Sequence, residues 1–526
     1  MTLLLTLPAF LLFTLPWLNP FAPGPSPAVM PWLVALAAFG GLIWVGVMQR
    51  VSAPADNTSF TRRWAGPLAW AVFFSGVASS VIGLMQYFGV AAPLEPWARQ
   101  GTFGEAFANL RQRNQFASLT NMALVAALWL AATHSTSPED APEPDNRHRP
   151  WLQPMLLLGA ALLGAGNAAS SSRTGLLQLV LLAGLLWLWG GWRHRAQRYV
   201  YLAALGTYAL GLLALPYLAG FDMSEQGMFA RLRDGAPTCS SRLLLWRNVL
   251  ELVAQKPWLG WGWGELDYAH YSTLYAGPRF CEILDNAHNL PLHLAVELGL
   301  PAALLVCGGV LWWLLRQRPW QEADSARQMG WGMLAVIGLH SLLEYPLWYG
   351  PFQIAAIFCV GLLWRPRKAA SSSNYESNRP LAQWICAVAA IIIIASSAYA
   401  TWDYHRISQL YVAPGARDAA YVDDTIGKAR GSWLFSHQVQ FAELTTTLVD
   451  RRNARWVFEQ AGALLHYSPE PRVIEKMIES AVMLGKDDEA LTHLARFRAA
   501  FPKEHAAWAR MNARMPEVID GLNPVK

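Results

Sequence analysis

Charge is what this sequence has least of: 15% of its 526 residues are Asp, Glu, Lys or Arg, against 54% that are hydrophobic. The basic residues that exist are scattered over loop ends and form no stripe, so a nucleic-acid-binding surface finds no support and no nucleic-acid partner is expected. No Asp-x-Asp pair occurs in the polar stretches 90 to 114 or 220 to 288, which removes the close carboxylates a hard metal ion needs. Asp423 with Asp424 and Asp487 with Asp488 are adjacent pairs in the tail and read as solvated helix-end charges. No repeated half is visible either, the internal symmetry that transporters tend to show. Cysteine is sparse, with five in all. Cys307, Cys359 and Cys386 sit in apolar runs and read as small hydrophobes. Cys239 and Cys281 share a long polar stretch; an oxidising compartment would permit a disulfide there, but the spacing alone does not bring them together.

What the sequence does have is apolar runs of roughly 18 to 22 residues, recurring from residue 3 to residue 400, the length a helix needs to span a bilayer. The predicted spans are about 3 to 19, 28 to 48, 65 to 89, 115 to 133, 152 to 169, 175 to 191, 199 to 219, 290 to 315, 328 to 344, 350 to 364 and 381 to 401, about eleven in total. The first lacks a basic leading region and a small-residue cleavage site, so it reads as a span and not as a signal peptide. The expected fold class is therefore all-α, a polytopic membrane protein.

Alternate short loops carry Arg50, Arg62 and Arg63, then Arg193, Arg195 and Arg198, then Arg316 and Arg318, then Arg365, Arg367 and Lys368. The excess of Lys and Arg on one side assigns that side to the cytoplasm. The loop at 134 to 150 falls on the same side although SPEDAPEPD makes it acidic, because Asp and Glu count for little in this rule. Three polar regions are left for the outer face: 90 to 114, 220 to 288, and everything after about 402.

Two domains are expected, residues 1 to 402 in the membrane with the large outer loop at about 220 to 288, and residues 403 to 526 as an outer helical domain. In the tail, YSPEPRVIEKMIESAVMLGKDDEALTHLARFRAAFPKE reads as two amphipathic helices turning at Gly485, with Pro469 and Pro502 at a spacing near that of a tetratricopeptide unit. Such a hairpin serves either as packing or as a docking surface.

Polar residues at the mouths of spans are costly and each is a candidate for function. Arg173 stands in NAASSSRTG, a short outer turn; snorkelling would explain it alone, but Ser170, Ser171, Ser172 and Thr174 beside it suggest an oxyanion pocket. Arg242 opens SRLLLWRNVLELVAQKPWLGWGWG and shares a helix face with Trp246, four residues on, whereas Arg247 points elsewhere and reads as structural. His288 and Asn289 start the span after the large loop, in DNAHNLPLHLAVELG, with Asn289 placed to cap it and Pro291 tolerated in the first turn. Arg113, Asn114 and Gln115 in QRNQFAS, and Glu344 and Tyr345 in LEYPLWYG, border two more spans.

Together these residues resemble the bacterial O-antigen ligase, O-antigen polymerase and O-oligosaccharyltransferase superfamily (the WaaL, Wzy and PglL types), over nearly the whole chain. The family motif is His, then Asn, Ser or Gln, nine residues, Gly, two residues, and Gly, Thr or Tyr. His288, Asn289 and Gly299 fit at the right spacing, and Ala302 departs at the last position. RNQFAS, LEYPLWYG and the helical tail look most like the PglL-type, protein-glycosylating branch.

The resemblance implies a GT-C-like membrane glycosyltransferase in a bacterial inner membrane, with its site and C-terminal domain in the periplasm. It implies His288 as the catalytic residue, Arg173 and Arg242 as binders of a lipid diphosphate, and Gln115, Asn289 and Tyr345 as acceptor- or donor-binding side chains. The donor it implies is an oligosaccharide on polyprenyl diphosphate, and the acceptor a Ser or Thr hydroxyl of a periplasmic, pilin-like protein, with no metal and no cofactor. An imidazole titrating near 6.5 suits proton acceptance from a hydroxyl at neutral pH; hydrogen bonding to phosphate or acceptor alone is the other role open to His288. Lipid A core or another glycan unit is the alternative acceptor. A lipid-linked glycan transporter is the alternative of another class.

Overall fold

The structure is a computed structural model and describes residues 2–19, 26, 28–52, 60–133, 150–221, 233, 238–364 and 379–522. Outside them lie Arg365, Arg367, Lys368 and all but the last residue of the acidic 134 to 150 loop, and nothing is described of the Arg62 side chain. Among the described residues all regular structure is helical. Two compact units form, the first from Met1–Gly235 with Trp312–Thr401, the second from Ala236–Leu311 with Trp402–Lys526.

The first unit holds most of the apolar runs. With no water in a bilayer core to serve backbone groups, an apolar run closes its own hydrogen bonds as helix. Its helices include α1 (Thr2–Thr14), α2 (Val29–Ser52), α3 (Phe60–Tyr87), α4 (Arg113–Thr133), α5 (Leu152–Ala169), α6 (Arg173–Leu188) and α7 (Arg195–Leu218), and later in the chain Ser325–Ser341, Gly350–Leu363 and most of Arg379–Ser408. Each of the eleven predicted runs coincides with a helix, but among the described residues seven helices are long and apolar enough to cross a membrane by length and composition. α1 has 13 residues, and α6 and the helix Gly350–Leu363 are short of a full span at 16 and 14.

Helix α4 lies at the centre of this unit, with nearly every residue from Phe116 to Ala131 buried. Aromatic rings lock the helices beside it. Phe358 meets Phe13 edge-on at 4.6 Å and Trp64 at 5.4 Å, and Trp17 meets Phe352 at 5.0 Å, spacings at which aromatic pairs attract beyond their burial.

The second unit joins the large polar loop to the tail. The loop contributes α8 (Arg242–Gln255) and α9 (Leu266–Ser272) and leads into α10 (Leu290–Gln317). A disulfide joins Cys239 to Cys281, so the loop that the spacing left open is covalently closed. Closing 42 residues this way stabilises by limiting the unfolded chain, on the order of 4 kcal/mol in the loop-entropy account. Inside the closed loop Asn248 is fully buried; its Nδ2 donates to the Pro278 carbonyl at 3.1 Å and its Oδ1 accepts from the Phe280 N–H at 2.8 Å.

The tail's helices Pro471–Met483 and Asp487–Ala500 are the expected amphipathic pair, and Gly485 turns between them at φ +69°. Lys486 donates to the Ala481 carbonyl and Gly485 to that of Val482, the paired bonds that end a helix at a left-handed glycine. The loop packs into this hairpin. Tyr271 of α9 belongs to the tail's apolar core, and its hydroxyl meets His493 Nδ1 at 2.8 Å. Tyr268 stacks on His466 at 3.8 Å, and His466 pairs with Glu265 at 2.7 Å.

Burial holds His493 neutral, lowering it from 6.5 to about 4 with Arg496 adding to the effect, and holds His270 near 3 with help from Arg279. Both shifts make stability complete above the unfolded value near 6.5 and progressively lost as the pH falls toward 4. Asp267 acts in the opposite sense: burial first, then Glu265 and Asp285, raise its carboxyl to about 7, so its contribution fades as the pH rises through 7. Two histidines against one carboxyl give net loss on acidification between about pH 6.5 and 4. The thermal midpoint of the full chain should fall over that window, and less so in His493→Gln, which keeps a polar partner for Tyr271 but does not titrate; parallel curves for the two proteins would refute the assignment to His493.

Candidate active site

The six residues singled out from the sequence fall into two groups, one in each unit. In the first unit Gln115, Arg173 and Tyr345 are brought together through their chain neighbours by one side chain, Asn114. Its Oδ1 accepts from Ser172 Oγ at 2.6 Å and its Nδ2 donates to Glu344 Oε1 at 3.1 Å. Ser172 precedes Arg173, Glu344 precedes Tyr345, and Asn114 precedes Gln115. One amide therefore ties the starts of α4 and α6 to the turn that follows the helix Ser325–Ser341.

The serines beside Arg173 have structural work. Ser172 caps α6, its Oγ accepting from the Gly175 N–H at 3.1 Å, and Ser170 Oγ donates to the Asn167 carbonyl at 2.6 Å while accepting from the Ser172 N–H. Ser170, Ser171 and Ser172 are buried, whereas Arg173 is exposed. Two of the hydroxyls expected to form a pocket around Arg173, those of Ser170 and Ser172, are thus engaged by a turn and a cap. Gln115 keeps its Oε1 buried with no hydrogen-bond partner, an acceptor whose desolvation is uncompensated and which a ligand donor would satisfy. Tyr345 is half-buried, at the head of a short helical turn.

Behind Asn114 runs a chain of polar side chains that spacing did not reveal. Ser118 Oγ lies 2.9 Å from His340 Nδ1 and accepts from Gln178 Nε2 at 2.7 Å; Gln178 Oε1 in turn accepts from Asn121 Nδ2 at 3.1 Å. Ser118, Asn121, Gln178 and His340 are all at most 1% exposed. Each is a polar residue inside an apolar run, and that cost was the available signal.

In the second unit His288 and Arg242 are organised around the start of α10. His288 holds a left-handed backbone, φ +49°, rare for a residue with a side chain. Its N–H donates to Asn286 Oδ1 at 2.9 Å, and Asn289 Oδ1 accepts from the Leu292 N–H at 3.0 Å, as an N-cap does. Arg242 is the first residue of α8, capped by Ser241. Trp246, on the same face of α8, donates from Nε1 to the Ala287 carbonyl at 3.1 Å, directing that face to the His288 turn. Arg247 pairs on the surface with Glu251 at 3.4 Å, as its structural reading required.

Gly299, the motif's second fixed position, breaks α10 at φ +85°, ψ +164°. Beyond the break Pro301 has no N–H, so the Glu297 carbonyl loses its helical donor, and Leu300 donates elsewhere, freeing Val296. The turn WLGWG replaces both: Trp261 N–H donates to Val296 O at 2.9 Å, Gly262 N–H to Glu297 O at 3.0 Å, and Leu300 N–H to Pro257 O at 2.8 Å. The backbones meet so closely that a Cβ on Gly299 would lie 2.2 Å from the Trp258 carbonyl oxygen. The motif glycine is where a loop docks on a broken helix, with nine residues between it and the asparagine that caps it. Among the described residues no group of three His, Cys, Asp or Glu side chains converges as a metal site would need.

A multi-pass helical membrane protein with polar clusters at its helix starts is the class these features define. Residues 158–307 match the O-antigen ligase family, residues 106–131 a protein glycosylation ligase family, and residues 328–516 a family described as virulence factor membrane-bound polymerase, C-terminal. The first stretch contains Arg173, Arg242, His288 and Asn289, the second Gln115, and the third Tyr345. The chain is 26% identical over 304 residues to the general O-oligosaccharyltransferase of Acinetobacter baylyi, covering 56% of this chain and 50% of that one. It is 26% identical over 263 residues to the ComP-specific O-oligosaccharyltransferase of the same organism, covering 49% and 44%. It is also 26% identical over 305 residues to the O-antigen ligase of Pseudomonas aeruginosa, covering 58% and 60%. The match thus spans about half the length of these relatives. Parts of the chain thus match the O-antigen ligase and protein glycosylation ligase families, the chain is similar to named members of that superfamily, and the matched segments together contain all six residues singled out from the sequence.

Three substitutions test the architecture. Gly299→Ala should lower the thermal midpoint of the purified protein by the equivalent of at least about 1–3 kcal/mol, from strained backbone and the clash with Trp258; an unchanged midpoint would show the turn is free to withdraw. Asn114→Leu should cost about 1–3 kcal/mol by removing the hydrogen bonds to Ser172 Oγ and Glu344 Oε1. Arg113→Ala should cost less, since its 3.1 Å pair with Glu105 is 33% and 44% exposed; equal losses would contradict the role given to Asn114.

Proposed function

We propose that this protein transfers an oligosaccharide from a polyprenyl diphosphate carrier to Ser or Thr hydroxyls of periplasmic, pilin-like proteins, by metal-independent, inverting transfer. The observation that carries the reading is the His288 turn: a histidine in left-handed backbone, with Asn289 capping α10 and Gly299 breaking it at the family spacing. The protein glycosylation ligase match over Gln115 and the two relatives named O-oligosaccharyltransferase favour a protein acceptor over lipid A core. The membrane is the bacterial inner membrane, with the starts of α4 and α6 on the periplasmic side. Arg50, Arg63, Arg193, Arg195 and Arg198 at the other helix ends support that orientation, and so does a disulfide in the loop, which an oxidising compartment sustains.

In this reading the acceptor oxygen attacks the anomeric carbon from the face opposite the phosphate. The bond from sugar carbon to phosphate oxygen breaks, and its electron pair remains on the diphosphate. Arg173 and Arg242 stabilise that charge by charge-assisted hydrogen bonds. The acceptor's proton passes to His288 Nε2 or Nδ1 as the new bond forms. Gln115, Asn289 and Tyr345 position donor or acceptor.

The test is expression with a lipid-linked glycan pathway and a pilin-like acceptor in cells lacking their own ligase. Glycan should appear on the acceptor protein, and His288→Ala should reduce it about 10²–10⁴-fold. Arg173→Ala and Arg242→Ala should each reduce it about 10²-fold or more. Glycan on lipopolysaccharide in place of protein would overturn the acceptor, and full activity in His288→Ala would overturn the mechanism.

A further inference from the structure

At the end of the first unit away from Asn114, a groove of about 380 Å³ opens between α2, α3, the helix Gly350–Leu363 and the helix Arg379–Ser408. It lies far from the candidate site in the same unit. Arg63, on its wall, and Tyr87, at the other end of α3, are 24 residues apart, roughly 36 Å of helix at 1.5 Å per residue. The wall of the groove is apolar, with Leu42, Val47, Trp64 and Phe358 among its residues. Its floor is rigid, because Phe358 is stacked on Phe60 at 6.0 Å and set against Trp64 at 5.4 Å.

Two cations, Arg50 and Arg63, line the same groove, along with Gln383. They come from separate helices, the end of α2 and the first turn of α3. Among the described residues no carboxylate lines it. The helix Arg379–Ser408, which forms the fourth wall, is only 17% buried over its apolar window, so the groove opens to the surroundings of the bundle.

An apolar slot lined by two guanidinium groups is complementary to an acyl chain ending in an anionic headgroup. The volume is within the range, about 300–1,000 Å³, of pockets that enclose a single small ligand. Basic pockets between membrane helices hold anionic headgroups in this way, at about 1 kcal/mol per Arg. We propose that this groove binds an anionic glycerophospholipid of the surrounding leaflet, its acyl chain against Phe358 and Trp64 and its phosphate on Arg50 and Arg63. The site is separate from the glycosyl-transfer reading and survives if that reading fails.

Cys386 lines the groove and is exposed, which supplies a probe position. The full chain, with Cys307→Ser, would be labelled at Cys386 with an environment-sensitive fluorophore and reconstituted in phosphatidylcholine nanodiscs. Phosphatidylglycerol with brominated acyl chains should quench the label saturably at low mole fraction. Brominated phosphatidylcholine should quench only in proportion to its amount. The double variant Arg50→Gln, Arg63→Gln should raise the half-saturation about 30-fold, two guanidinium groups at about fivefold each, with an unchanged thermal midpoint. Equal quenching by the two lipids, or no shift in the double variant, would overturn the proposal. Displacement of phosphatidylglycerol by an equimolar polyprenyl phosphate would assign the groove to the carrier lipid, and displacement by millimolar inorganic phosphate to a bare anion site; either result overturns it.

Discussion

A helix that stops inside apolar surroundings must hand its orphaned carbonyls to someone, and in this protein the handover at Gly299 organises the second unit. Val296 and Glu297 lose their helical donors because the chain swings out at Gly299 and Pro301 has no N–H. The turn from Pro257 to Gly262 supplies three backbone bonds in return. That docking fixes the end of α8 against α10, and Trp246 of α8 then reaches the carbonyl before His288. The left-handed histidine, its capping neighbour and the arginine at the start of α8 are all held by one repair of a broken backbone.

The first unit solves a different problem with the same economy of parts. Three segments distant in sequence need a common origin at one end of a bundle, and Asn114 provides it with both ends of one amide. A buried amide with both ends satisfied is stabilising, whereas a half-satisfied one is a liability. The chain of Ser118, His340, Gln178 and Asn121 below it extends that logic into the most buried helix of the unit.

Much of this was legible from residue order. The apolar runs became helices, Gly485 became a left-handed turn, and Asn289 became a cap, because local chemistry decides such features. Span number was less legible: α1, α6 and Gly350–Leu363 carry apolar sequence but are shorter than a full crossing, and hydropathy does not separate a short buried helix from a span. The serines near Arg173 looked like a binding pocket because composition does not reveal which hydroxyls the backbone already uses. The packing of Tyr271 on His493 joins residues 222 positions apart, and no periodicity reports a contact of that kind. The same holds for the link between Cys239 and Cys281.

That disulfide also makes one part of the molecule answer to reductant. The loop it closes contains α8, α9 and the docking turn, and ends a few residues before His288. Opening the bond would lengthen the unfolded alternatives of all three at once and loosen the packing around Asn248. The bundle of the first unit contains neither of these two cysteines and would keep its covalent state. Thiol chemistry therefore acts on the scaffold of the histidine turn and not on the helices tied by Asn114.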